Sequence, residues 1–177
     1  MARAAPHGPS RTLGAVGTAH EIGNAYTRLM DTASRIRSFR VRAGKSKLEL
    51  SERLGLNAAW YDDLEHDDHA LVSTLTLFQA IDLASVLGVG LHELVTDRPA
   101  PDERVPLAEL PERIHDHIAR EGISLENFEG QVGWTLGDFI ESPLTVTAEH
   151  PVEFLQALSA NLGIDWLALI PHEDPAA

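Results

Sequence analysis

The chain has 177 residues, 44% of them hydrophobic, enough for one large domain or two small ones. With no cysteine it offers no disulfide, no thiolate metal site and no cysteine nucleophile, and a reducing cytoplasm is the expected setting. Its formal net charge of -13 hides an asymmetry: residues 1–53 hold 10 Lys+Arg against 4 Asp+Glu, and residues 54–177 hold 4 against 23. That split predicts one face suited to an anionic partner on a body that repels polyanions.

Residues 1–19 are rich in Gly, Pro and Ala without an apolar period, which predicts a disordered arm. They lack the apolar core of a signal peptide, and no apolar run approaches the roughly 20 residues a membrane span needs. No membrane partner is expected. From His20 the positions Ile22, Tyr26, Leu29, Ala33 and Ile36 recur at spacings of 4, 3, 4 and 3, the stripe of a long first helix. Such a stripe packs either on its own domain or as a homodimer seam.

Punctuation follows in chain order. Ser46 and Glu49 form a capping-box pattern opening a helix from Lys47 to Leu54, which Gly55 stops. Leu56 turns inward, and Asn57 is an N-cap for a third helix from Ala58 to Glu65. These are two short helices joined by a tight turn. Thr74 caps a fourth helix bearing Leu77, Ile81, Ala84 and Leu87; Gly88 ends it, and Leu91 to Val95 form a short fifth. A first domain thus covers residues 20–96. Residues 97–106, with three prolines among charges, read as a linker.

Beyond the linker the order repeats. Pro111 suits a first helical turn, Gly122 ends that helix, Ser124 opens the next, and Gly133 and Thr135 stand where Gly55 and Asn57 stood. Gly163-Ile-Asp-Trp166 mirrors Gly88-Val-Gly-Leu91. The offset is 78 residues at Gly44/Gly122 and at Gly55/Gly133 but 75 at Gly88/Gly163, so the second copy, residues 107–171, is shorter after its third helix. Residues 172–177 are a tail.

Residues 36–95 resemble the phage lambda repressor-like, or Xre, helix-turn-helix family over that family's whole domain length. The resemblance is carried by Ile36, Arg40, Gly44, Ser46, Leu50, Gly55-Leu56, Leu64-Glu65 and the closing Leu83-Ala84, Leu87-Gly88, Leu91 and Leu94. It implies an all-α protein of two tandem five-helix domains, the second, at 111–170, a degenerate copy. It also implies a partly buried ion pair between Arg40 and Glu65. Removing one member alone would strand a desolvated charge, and the second copy, with Ile118 and Pro143 in those places, lacks both.

The same resemblance puts the third helix in a DNA major groove, with Asn57, Ala58, Ala59, Asp62 and Asp63 as the recognition residues. Arg, Asn and Gln, the usual bidentate base readers, are absent at Ala58, Ala59 and Asp63, where the resemblance puts the base contacts. Residues 57–69 carry five acids and no Lys or Arg, and such charge opposes a phosphate backbone. Arg35, Arg37, Arg42, Lys45 and Lys47 are the candidate phosphate contacts, or else a solvated face balancing those acids. Tyr61 takes the family's core position, which leaves Trp60 either exposed or packed against the amino-terminal helix. Residues 104–170 hold three arginines and 11 acids, so the second copy is not expected to touch DNA.

No nucleophile–base pair, phosphate loop or set of four convergent metal ligands is evident, though His66, His69, His115 and His117 lie near acids. No enzyme, no catalytic residue, no metal and no cofactor is expected. Two functions follow. One is an Xre-type transcriptional regulator that binds duplex DNA as a dimer through the first domain. The other is a helix-turn-helix fold turned to a basic protein partner, as an antitoxin, immunity protein or DNA-mimic-like inhibitor, with Trp60, Asp62, Asp63, Asp67 and Asp68 as its interface.

Overall fold

The computed structural model describes residues 31–96, 98 and 100–170. These form eleven α-helices and no strands. The first helix, α1 (Thr32–Arg42), starts behind Asp31, whose carboxylate accepts from Ser34 N at 3.0 Å. Of the long helix expected from His20, the described part is the stretch that starts at Thr32. Its Ile22, Tyr26 and Leu29 lie outside the described residues, while Ala33 and Ile36 turn into the core.

Helix α2 (Lys47–Leu54) opens at Ser46, whose hydroxyl accepts from Glu49 N, and closes at Gly55 with φ 68°. That left-handed turn lets Leu56 N reach back to Ser51 O at 2.9 Å, tucking Leu56 against the core. Asn57 then caps α3 (Ala58–Leu64) by accepting from Trp60 N at 2.9 Å. Tyr61 and Leu64, three apart, form the buried face of α3.

The next element departs from expectation. Ala70, Leu71 and Val72 are buried and form a short helix, α4 (Ala70–Thr74), so Thr74 closes a helix rather than opening one. Thr76 is the cap instead: its hydroxyl accepts from Gln79 N while the Gln79 carboxamide accepts from Thr76 N, opening α5 (Leu77–Val86). Gln79 Nε2 also donates to Leu54 O at 2.9 Å, fastening α5 to the end of α2. Helix α6 (Leu91–Val95) receives α1: Thr32 Oγ1 donates to Val95 O and Arg35 Nη1 to Glu93 O, both at 3.4 Å.

A 3-10 turn (Leu107–Glu109) leads into α7 (Leu110–Glu121), then α8 (Leu125–Val132), α9 (Gly137–Glu141), α10 (Pro143–Glu149), α11 (Val152–Leu162) and a closing 3-10 turn (Trp166–Leu169). Thr135 does not cap α9. Leu136 is buried and its N–H is taken by the Glu129 carboxylate at 2.6 Å, which delays the helix to Gly137. Gly44, Gly55, Gly88, Gly122, Gly133 and Gly163 are the described residues with positive φ, between 65° and 82°. They pair off at the offsets of 78, 78 and 75 residues noted above.

The two halves share one core. Val105, within the expected linker, is buried and donates its N–H to Ala168 O at 3.0 Å. Helix α4 packs on α11 and α5 on α10, and between these contacts Val152 N donates to Leu75 O at 2.8 Å beside a lone antiparallel bridge from Thr76 to Pro151. Thr76 and Pro151 are the N-caps of α5 and α11, 75 residues apart. The contact thus joins corresponding points of the two halves. No helix among the described residues is long and apolar enough to cross a membrane.

Candidate functional site

Helices α1, α2 and α3 meet in a charge network. Arg40, near the end of α1, grips Glu65, just after α3, with its Nε on Oε1 and its Nη2 on Oε2, the latter at 3.0 Å; its Nη1 donates to Lys45 O at 3.1 Å. The Glu65 side chain is 0% exposed and that of Arg40 14%. Burial pushes the Glu65 carboxyl up, but the hydrogen bond and charge of Arg40, with Lys47 behind them, hold it below the ordinary carboxylate range. The hydrogen bond to Glu65 likewise raises the Arg40 guanidinium. At neutral pH both groups are charged.

Lys47, at the start of α2, reaches across the turn to α3. Its ammonium binds Asp62 and stands 3.4 Å from Glu65 Oε2. The hydrogen bond to Asp62 raises Lys47 and lowers Asp62. His66 Nδ1–H donates to Asp62 O at 2.7 Å. Asp62 is therefore not a bare anion but one arm of a neutralised cluster.

Two more acids of this stretch are also in use. Asp68 Oδ1 accepts from Ala33 N at 3.0 Å, so it caps α1 from 35 residues away, and Asp67 Oδ1 accepts from His69 N at 2.8 Å. Asp63 is exposed and carries no salt bridge among the described residues. Along α3 the exposed positions are then Ala58, Ala59, Trp60, Asp62 and Asp63, preceded by exposed Asn57. Trp60 is 55% exposed among the described residues.

The basic residues divide. Lys47 is held by the cluster, and Lys45 is paired with Glu49 at 2.5 Å. Arg42 lies over the Phe39 ring at 4.5 Å, and Arg35 bonds α6 rather than approaching α3. Arg37 is exposed on α1. Residues 31–96 hold 7 Lys+Arg against 10 Asp+Glu, so the described part of the first half is not a cationic surface. The bidentate Arg53–Asp82 pair, at 2.9 and 2.6 Å, joins α2 to α5 and has no signal in sequence spacing. No group of three metal-ligand side chains converges among the described residues.

Tyr61 is fully buried beside Glu65, and its hydroxyl has no hydrogen-bond partner among the described residues. Burial first, then the neighbouring Glu65 charge, pushes the phenol above its ordinary range. A buried orphan hydroxyl costs free energy without return. Tyr61→Phe should therefore leave stability unchanged or raise it by about 1 kcal/mol; a fall of that size in urea denaturation would show that the hydroxyl has a stabilising partner.

The fold and the cluster define an all-α protein whose α2, Gly55 turn and α3 are locked together by ion pairs, with a tryptophan-bearing helix face outward. Compared with models of protein families, with curated proteins and with solved structures, the chain matches none.

Proposed function

We propose that this chain is a duplicated helix-turn-helix protein of the phage-repressor type whose first copy, through α3, binds a protein partner rather than duplex DNA. The observation that carries this reading is the outward face of α3. It offers Ala58, Ala59 and Trp60 with Asp63 at its edge, and the lysine that reaches it is already occupied by Asp62 and Glu65. An exposed tryptophan is among the residue types that most often anchor a protein interface. Asp63 favours a partner with a basic rim. The second copy serves assembly, because its α11 and α10 cover α4 and α5 of the first.

A regulator reading rests on a different observation. Arg37 and Arg42 are exposed on α1, next to the Ser46-capped start of α2, where backbone phosphates could be held. Under it, binding to duplex DNA weakens steeply with salt, and Arg37→Met lowers the slope of log K against log salt by about one.

A photo-crosslinking residue placed at Trp60 in the native cell distinguishes the two. The protein-partner reading expects a discrete protein adduct, reduced by Asp63→Lys, and no retention on duplex DNA at moderate salt. A nucleic-acid adduct with salt-dependent duplex retention would replace it by the regulator reading.

A further inference from the structure

The outward face of α3 carries two groups that the charge network does not use. Trp60 is 55% exposed, and its indole has no ring or cation partner among the described residues. Asp63, exposed three positions on, makes no side-chain hydrogen bond or ion pair among the described residues. Residues three apart on a helix are neighbours, so the indole and this carboxylate stand side by side. The helical turn carries on past Leu64: Asp67 N donates to Asp63 O at 2.9 Å, which sets Asp67 one turn beyond Asp63.

This face stays negative after pairing. Of the five acids in residues 57–69, Glu65 is matched by Arg40, Asp62 by Lys47, and Asp68 caps α1. Asp63 and Asp67 remain, Asp67 with one oxygen on His69 N, and the stretch holds no Lys or Arg. Asp62 stands two positions from Trp60, and residues so spaced do not share a helix face, so Lys47 lies off the Trp60–Asp63 row. His66 directs its Nδ1 to Asp62 O. A cation reaching Trp60 therefore meets a ring face and a carboxylate without displacing an existing ion pair.

We propose, resting on the protein-partner reading above, that Trp60 and Asp63 receive an arginine side chain from a basic segment of that partner. Its guanidinium lies on the indole and pairs with Asp63. The planar, weakly hydrated guanidinium can stack on an aromatic face and still aim its N–H donors at a carboxylate beside it. An ammonium is a compact, strongly hydrated point charge and gains less from the ring. The row thus selects arginine over lysine, which net charge alone does not.

The test titrates the full chain with an alanine-based peptide bearing two arginines, and with its lysine and glutamine counterparts, following amide and indole N–H signals by NMR. The arginine peptide should shift the Trp60 indole and the amides of residues 57–67 saturably, about threefold more tightly than the lysine peptide. The glutamine peptide should not saturate. Asp63→Asn and Trp60→Ala should each weaken the arginine peptide about threefold, with an unchanged circular dichroism spectrum. Asp138→Asn, at an exposed acid of α9, should leave it unchanged. Equal affinity for the arginine and lysine peptides, or equal losses in Asp63→Asn and Asp138→Asn, would mean attraction to the acidic body alone. Either result overturns this inference and leaves the wider reading standing, whereas a nucleic-acid adduct in the crosslinking experiment overturns the wider reading itself.

Discussion

Arg40→Ala is expected to destabilise the protein by about 3–5 kcal/mol, because it leaves the Glu65 carboxylate buried without its main partner. Glu65→Ala should cost a comparable amount, since Arg40 also spans to Lys45 O and would lose its counter-charge. The double replacement Arg40→Met, Glu65→Leu should recover much of the loss, as an apolar pair of similar volume carries no desolvated charge. A double-mutant cycle in urea checks this; additive single-variant costs would mean that the two groups do not act as a pair.

The same pair sets an acid limit. The folded carboxyl of Glu65 is lower than its unfolded value of roughly 4.3, so its contribution is complete above that pH and disappears as pH falls through the folded value. Stability should be flat from pH 7 to about 5 on this account and decline below about 4. In Arg40→Ala, burial outweighs the remaining Lys47 charge and raises Glu65 above its unfolded value, so the sign reverses and stability should rise rather than fall as pH drops through that raised value.

Phe154→Ala is expected to cost about 3–5 kcal/mol and to weaken both halves together. Phe154 is 1% exposed, edge-on to Phe139 at 5.1 Å and to Trp134 at 5.6 Å, on the helix whose first amide bonds Leu75 O. The core continues from Leu71 and Leu75 to Val152 and Leu155 without a break. Residue-resolved hydrogen exchange should therefore show Leu83 and Leu87 losing protection along with Leu158. Loss confined to α7–α11 would mean that the halves unfold separately.

What the order of residues determined by itself lies in contacts made within about five residues. Ser46, Asn57 and Ser124 cap the helices that follow them, and Gly55, Gly122 and Gly163 turn left-handed where the apolar period stops. Thr76-x-x-Gln79 carried the same kind of signal and marks the true start of α5, one turn past a buried apolar run that forms α4. Only the tertiary structure decided how the charges are used. Asp68 looks like surface acid but caps α1, Asp62 looks like a repulsive edge but is taken by Lys47, and Val105 looks like linker but is core. Capping is written in neighbouring residues because the backbone itself supplies the partner. Pairing across 15 or 35 residues depends on which helix faces meet, and no local period encodes that.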